Sequence, residues 1–260
     1  MSRLPDKRLV GNRFDRSLHT YRRSAVVQIG MAARLVELVD RAGAPARLGR
    51  VLEVGAGSGI LTSALLANHS AATYFANDLA PGSREFVMRA FDGHEVGEGL
   101  FLEGDIERLD PLPQKLDLVV SNATVQWLHD LESFFERMVS SLLPGGLLAF
   151  STFGTGNMRE IAELEGISLP YFTAGEIEAL AGCSFEALCI EEDERRLEFA
   201  SPEAVLRHIR ETGVNGVAGS VWGRERYRRF LERYRMSFPS GSGVSLTYHP
   251  VYCCFRRRQP

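Results

Sequence analysis

The chain has 260 residues, of which 45% are hydrophobic and 24% are charged, with a formal net charge of −3. This balance is typical of one large α/β domain with an elaboration and argues against disorder or nucleic-acid binding. The four cysteines have no C-x-x-C spacing, so we expect neither a disulfide framework nor a metal site. No apolar run reaches the roughly 20 residues that span a bilayer, and the first residues lack the apolar core of a signal peptide. We therefore expect a cytoplasmic protein that does not bind membranes.

Predicted helices and strands alternate over the first 155 residues. The apolar spacing predicts helices over residues 12–42, 60–68 and 82–91, and strands over residues 50–54, 73–78, 99–103, 116–120 and 147–151. Strands that alternate with helices need crossover connections, which produce a parallel sheet. The sequence therefore predicts a doubly wound, mostly parallel α/β fold.

The pattern changes after residue 155. A short helix is predicted over residues 173–182 and one or two strands over 186–200. Arginine-rich helices follow over 202–236, interrupted at 213–223, and a last strand over 245–255. We expect four regions: an N-terminal helical cap (1–45), an α/β domain (46–200), a helical lid insertion (201–243) and a terminal strand that completes the sheet (244–260).

The residues after the first predicted strand form a glycine-rich turn, Glu53-Val-Gly55-Ala-Gly57-Ser-Gly59. Open α/β sheets bind ligands beyond the carboxyl ends of their strands, and glycines let the backbone approach a ligand closely. A dinucleotide-binding turn has the spacing G-x-G-x-x-G, but Ile60 stands where its third glycine would be. The turn therefore favours a cofactor without a pyrophosphate over NAD.

Polar side chains follow the next three predicted strands. Asp78, before Leu79, ends the second strand, where a carboxylate can accept hydrogen bonds from both hydroxyls of a ribose. After the third strand, Asp105 could accept from an exocyclic amine while Ile106 packs on a purine. Asn122 follows the fourth strand, where we expect the reacting end of the ligand. Each residue alone is equally typical of a turn or a helix cap, so the prediction rests on their order.

These residues, with the turn Pro144-Gly-Gly146, resemble the class I S-adenosylmethionine-dependent methyltransferases over about residues 48–155. The resemblance implies a Rossmann-like fold and S-adenosylmethionine as the cofactor, bound by residues 46–200. It also places the cofactor's carboxylate end near Gly57 and its adenine near Asp105 and Ile106. Glu53 is among the groups that should favour the positively charged sulfonium.

A narrower resemblance spans nearly the whole chain. Segments similar to the malonyl-[acyl-carrier protein] O-methyltransferases of biotin synthesis are Asp6-Lys7, Phe14-Asp-Arg16, Tyr21, Ser121-Asn122, Val125-Gln126-Trp127, residues 206–213 and Leu246-Thr-Tyr-His249. The resemblance implies methylation of the free carboxylate of a malonyl thioester, carried by acyl carrier protein or coenzyme A. Two alternatives stay open: a methyltransferase of a free small acid such as aconitate, and a non-catalytic subunit with the same fold.

Three residues are candidates for handling the substrate. A carboxylate is already ionised at neutral pH, so its methylation needs no strong base. We expect Tyr21 to donate a hydrogen bond to it or to cover the cofactor, and Arg207 or Arg210, at i and i+3, to grip it. The plainer interpretations are a packed helix residue and a solvated helix face. The basic run over residues 224–235 is expected to dock an acidic carrier protein, or else to be a solvated helix.

Overall fold

The computed structural model describes residues 5–212 and 222–259. The helices are α1 (Lys7–Ser24), α2 (Val26–Arg41), α3 (Ile60–Leu66), α4 (Ser83–Asp92), α5 (Leu131–Ser141), α6 (Arg159–Glu165), α7 (Ala174–Ala181), α8 (Pro202–Glu211) and α9 (Arg224–Ser237). The strands are β1 (Arg47–Val54), β2 (Ser70–Asp78), β3 (Val96–Glu103), β4 (Leu116–Asn122), β5 (Leu142–Phe153), β6 (Phe185–Glu192), β7 (Arg195–Phe199), β8 (Pro239–Ser240), β9 (Gly243–Tyr248) and β10 (Pro250–Arg257). Short 3-10 turns cover Val125–Trp127 and Gly182–Ser184.

Seven strands form the main sheet, in the order β3-β2-β1-β4-β5-β10-β6. Strands β1 to β5 are parallel, and β10 runs antiparallel to both of its neighbours, β5 and β6. This confirms the predicted doubly wound, mostly parallel sheet. The strand order reverses between β1 and β4, which is the position where sheets of this kind bind ligands.

The central strands are buried on both faces because helices cover each side. Alternate residues of β1 point to opposite faces, so Val51 packs in a core with α2 and α3 while Leu52 packs in a core with α5 and α7. The second core contains a group of aromatic rings around Phe135, whose centroid lies 5.8–6.1 Å from those of Phe150, Phe185 and Phe255. This packing fixes the carboxyl ends of β1 to β4 at one edge of the sheet.

The prediction of one continuous strand over residues 245–255 was wrong. Strand β9 belongs to a small antiparallel sheet, β7-β9-β8, whereas β10 completes the main sheet. The pairing of β9 with β7 ends at Tyr248. The next residue is His249, whose carbonyl accepts from the Gly154 N–H at 2.8 Å. Pro250 then begins β10, and a proline has no N–H with which to continue the earlier pairing.

The region expected to be a helical lid, residues 201–243, contains α8, α9 and also β8. Helices α8 and α9 share a core with β9, to which Val205, Ile209, Phe230, Tyr234 and Leu246 contribute. Most of the interruption predicted at 213–223 lies outside the described residues. Helix α1 packs against α8 and passes over the carboxyl edge of the main sheet.

Candidate active site

A cleft lies between helix α1 and the carboxyl ends of β1 to β4. Its volume is about 900 Å³ including its open mouth. Eight of the nine residues predicted to bind the cofactor line it, namely Glu53, Gly55, Gly57, Asp78, Leu79, Asp105, Ile106 and Asn122. Gly59 is not among the lining residues; it precedes α3 as its N-cap, with φ +71°. The structure thus brings the polar strand ends together, as their order along the chain predicts.

The floor of the cleft is the glycine turn after β1. Gly55 has φ +72°, and a Cβ at this position would stand 2.1 Å from Thr124 Oγ1. Gly57 has φ +53° and faces the Phe14 ring of α1, about 3.0 Å from where a Cβ would be. A side chain at either position would therefore strain the backbone and fill space needed by a ligand or a neighbour.

Asp78 ends β2 with its side chain buried beside the turn. Its Oδ2 accepts from the Gly57 N–H at 2.7 Å, and its Oδ1 accepts from the Ala80 N–H at 2.7 Å. Burial raises the pKa of Asp78 to about 6, although these hydrogen bonds oppose the rise. Each carboxylate oxygen has a second lone pair, so Asp78 can hold the turn and also accept from two ligand hydroxyls.

Glu53, near the end of β1, is almost fully buried. Its Oε2 accepts from Thr62 Oγ1 at 2.6 Å and from the Tyr74 hydroxyl at 2.7 Å. Its Oε1 is buried without a hydrogen-bond partner. Burial raises the pKa of Glu53 to about 7. An unsatisfied carboxylate oxygen beside a cleft is suited to a cationic donor, because such a donor supplies both the missing hydrogen bond and the opposite charge.

The other end of the cleft combines Asp105 and Ile106 with Lys7 of α1. Lys7 Nζ donates to Asp105 Oδ1 at 2.6 Å and also pairs with Glu107. Ile106 is buried and Leu79 is partly exposed at the cleft. These residues supply apolar surface for a planar ring and a carboxylate for an amine. The ion pair with Lys7 occupies one oxygen of Asp105.

Near Asn122 the cleft is lined by neutral side chains. Asn122 Oδ1 accepts from Ser151 Oγ at 2.6 Å, and its Nδ2 donates to the Gln28 carbonyl at 3.1 Å. Tyr21 also lines the cleft, and its ring meets Phe14 edge-on with centroids 4.9 Å apart. Burial, together with the negative charge of Asp78, raises the pKa of Tyr21 well above its usual value. Tyr21 is therefore a hydrogen-bond donor at neutral pH and not a base.

Arg207 and Arg210 lie outside the cleft. Helix α8 buries Pro202, Val205 and Ile209, which places both arginines on the opposite, exposed face. Among the described residues, no arginine lines the cleft. The structure brings Tyr21 to the predicted site but does not bring either arginine there.

Helix α1 contributes a wall of the cleft that the sequence only partly indicated. The side chains of Lys7, Val10 and Phe14 and the backbone of Gly11 recur at helical spacing along its inner face. That spacing was visible in the sequence, but nothing local showed that this face covers a cleft. Thr124, which contacts Gly55, was also missed because it lies in an irregular segment after β4.

The Methyltransferase domain family model matches residues 52–150, and relatives match almost the whole chain. The malonyl-[acyl-carrier protein] O-methyltransferase of Prosthecochloris aestuarii is 50% identical over 97% of this chain and 94% of the relative. That of Chlorobium phaeovibrioides is 50% identical over the full length of both. The chain belongs to the malonyl-[acyl-carrier protein] O-methyltransferase family. It is an S-adenosylmethionine-dependent methyltransferase, which confirms the predicted activity and cofactor.

Solved structures show the same fold. A methyltransferase-like structure from Bacillus halodurans has a TM-score of 0.64 at 14% identity and covers 86% of this chain and 99% of that one. The YcgJ protein of Bacillus subtilis has a TM-score of 0.61 at 13% identity. The predicted Rossmann-like fold is thereby confirmed. No helix in the described ranges is long and apolar enough to cross a membrane.

The site fits S-adenosylmethionine on the observations above. Gly55 and Gly57 leave room at the floor, Asp78 offers two free acceptor positions, and the unpartnered Oε1 of Glu53 can accept from the ammonium group of the amino-acid end. Ile106 offers an apolar surface to the adenine. The cofactor supplies an electrophilic methyl group, and the chain's own residues bind and orient it.

Proposed function

We propose that this enzyme methylates the free carboxylate of a malonyl thioester, with acyl carrier protein as the carrier, and that it serves biotin synthesis. The observation that carries the proposal is the chemistry near Asn122. Tyr21, Asn122 and Trp127 line that part of the cleft, and none of them is a base at neutral pH. A carboxylate nucleophile is already ionised and needs only to be positioned. The substrate named for the full-length relatives supports the malonyl thioester in particular.

The chain's residues divide the work along the cleft. The buried carboxylate of Asp78 holds the nucleoside portion of the cofactor, and the buried carboxylate of Glu53 holds its amino-acid portion. Tyr21 donates a hydrogen bond to the substrate carboxylate, which orients one oxygen toward the methyl group. Trp127 and the Phe14 ring exclude water, so the nucleophile is not shielded by a hydration shell. Arg207 and Arg210 act at the entrance and not in the cleft.

Mass spectrometry of the purified enzyme with S-adenosylmethionine tests the proposal. Malonyl-carrier protein and malonyl-coenzyme A should gain one methyl ester, whereas acetyl-coenzyme A, which lacks a free carboxylate, should remain unchanged. Methylation of aconitate but not of malonyl thioesters would support the free-acid alternative. An enzyme that binds the cofactor and methylates none of these compounds would support the non-catalytic alternative.

Three further expectations stay predictions. They are a cytoplasmic location, the lack of nucleic-acid and membrane binding, and malonyl-coenzyme A as the alternative thioester.

A further inference from the structure

We propose that the last turns of α1 and α8 form the surface on which an acidic carrier domain docks to deliver the thioester. The arginines of this docking surface are Arg22 and Arg23 of α1 and Arg207 and Arg210 of α8. The proposal rests on the proposed function and locates its partner. It differs from the expectation that the arginine-rich helix α9 makes this contact.

Helix α1 has two faces with separate properties. Its inner face lines the cleft from Lys7, beside Asp105, to Tyr21, near the neutral end. Arg22 and Arg23 follow Tyr21 directly in the last turn and are exposed. Side chains at successive helix positions diverge by about 100°, so these arginines leave the cleft at the end where the substrate carboxylate is expected.

Helix α8 brings further arginines to the same place. Ser24 Oγ at the end of α1 donates to Glu211 Oε2 at the end of α8 at 2.8 Å, and the two helices pack together. Arg210 lies in the last turn of α8, and Arg207 lies one turn earlier on the same exposed side. The contact between Ser24 and Glu211 therefore brings the ends of α1 and α8, with the exposed arginines that they carry, to one region of the surface.

These arginines are available to an external anion. In the described part of the chain, no hydrogen bond or ion pair joins Arg22, Arg23, Arg207 or Arg210 to a carboxylate. Their positive charges are therefore not neutralised by ion pairs within the described chain, although the net charge of the whole chain is −3. Such a local patch attracts an acidic partner and speeds its association.

Most arginines of α9 are already engaged within the chain. Arg226 pairs with Glu165 and lies over the Trp222 ring at 5.2 Å. Arg235 pairs with Glu203 at 2.7 Å, and Arg228 lies 3.8 Å from Glu232. None of the described α9 residues lines the cleft. The pairs of Arg226 and Arg235 attach α9 to α6 and α8, so α9 offers an external anion less free charge than its six arginines suggest.

The position also suits the geometry of delivery. A carrier domain holds its thioester at the end of a flexible arm, so it must sit at the mouth of the cleft into which the arm reaches. The docking surface adjoins the end lined by Tyr21, whereas Lys7 and its ion pairs hold α1 against the sheet at the other end. The arm would enter beside Tyr21 and meet the methyl group without crossing the adenosine portion of the cofactor.

The test compares charge reversal on α1 with the same change on α9. In Arg22→Glu/Arg23→Glu, KM for malonyl-carrier protein should rise roughly tenfold at low salt, and kcat/KM for a malonyl thioester of a small neutral thiol should stay within twofold. The difference from wild type should shrink as salt screens the charges. The matched control Arg228→Glu/Arg229→Glu should leave KM for the carrier protein within twofold of wild type.

Binding of the carrier protein tests the α8 half of the surface. Arg207→Glu/Arg210→Glu should weaken equilibrium binding of malonyl-carrier protein roughly tenfold at low salt, measured by fluorescence anisotropy. Binding of S-adenosylhomocysteine should remain at the wild-type level and shows that the variants are folded. Circular dichroism gives a second check of folding.

The outcomes separate this proposal from the proposed function. Wild-type enzyme that methylates no malonyl thioester would refute the function itself. Wild-type enzyme that methylates both thioesters, with a carrier-protein KM that neither α1 nor α8 reversal changes, would refute only the docking surface. A larger effect from the α9 control than from α1 reversal would move the contact to α9.

Discussion

Replacing Asp78 with asparagine should weaken cofactor binding without unfolding the chain. The carboxylate holds the Gly57 and Ala80 N–H groups at 2.7 Å each, and one lone pair of each oxygen is left for a ribose hydroxyl. Asparagine keeps one acceptor oxygen, but an NH₂ group replaces the other and faces a backbone N–H. Because both of these groups are donors, no hydrogen bond can form between them. The variant therefore loses one ribose hydrogen bond and one contact that fixes the turn.

The magnitude follows from the charge on the acceptor. A hydrogen bond to a charged group contributes about 1.5–3 kcal/mol, so loss of one to the ribose should weaken binding by roughly 10- to 150-fold. Asp78→Ala should weaken it at least as much, because the Gly57 N–H is then buried without a partner. Isothermal titration with S-adenosylhomocysteine at pH 8, where Asp78 is ionised, measures both variants.

The matched control for this experiment is Asp92→Asn, an exposed carboxylate at the end of α4. It makes the same chemical change away from the cleft and should bind the cofactor product as wild type does. Thermal unfolding of each variant shows whether the fold is intact. A folded Asp78→Asn protein that binds within twofold of wild type would remove Asp78 from the ribose site.

Two further predictions concern proton linkage and the stability of α1. Burial raises the pKa of Glu53 to about 7, so in the ligand-free protein this carboxyl is mostly protonated at pH 6 and should release its proton when the ligand's ammonium group binds. Asp78, whose pKa is raised to about 6, should release part of a second proton at the same pH. S-adenosylhomocysteine affinity should therefore rise between about pH 5 and 7 and then level off. Titrations in buffers of different ionisation enthalpy measure the number of protons released on binding. The contribution of Glu53 to this number should be absent in Glu53→Gln. Hydrogen exchange should be faster in α1 than in α2, because α2 buries eight residues whereas α1 buries only Ser17 and Leu18. Bound cofactor should slow exchange in α1. Equal protection of the two helices would contradict this prediction.

The site residues at the strand ends were predictable because their place in the fold depends on the order of the strands along the chain. Buried strands read as apolar runs, and parallel strands bring their carboxyl ends to one edge whatever the loops do. Asp78, Asp105 and Asn122 could therefore be assigned to one site from sequence. The ion pair between Lys7 and Asp105 could not, because its partners lie 98 residues apart and meet only when α1 crosses the sheet.

The helical segments show a different limit. Positions 207 and 210 share a helix face, as predicted, but the apolar positions 202, 205 and 209 decide which face turns inward. These three apolar positions form one stripe along the helix, and that stripe indicates that both arginines lie on the surface. The predicted helix over residues 12–42 divides at Ala25, whose ψ of 43° leaves the helical region. No proline or glycine marks that break, so the local sequence gave no signal for it.

The way α1 is attached explains why it can both cover the cofactor and admit it. Burial of one leucine contributes only about 1.5–3 kcal/mol, so apolar packing alone holds α1 weakly. Aromatic rings add to this packing: Phe14 lies beside Gly57, and the His19 ring lies 5.4 Å from that of Phe86. Polar contacts also attach the helix, through Lys7 to Asp105 and from the Gly82 N–H to Asp15 at 2.9 Å. Partly exposed polar contacts are weak individually and re-form readily in water. We therefore expect α1 to open more readily than α2 and the sheet, which the comparison of hydrogen exchange in α1 and α2 tests. Because the proposed docking surface lies partly on α1, which also lines the cleft, we expect carrier docking and cofactor enclosure to be coupled through this helix.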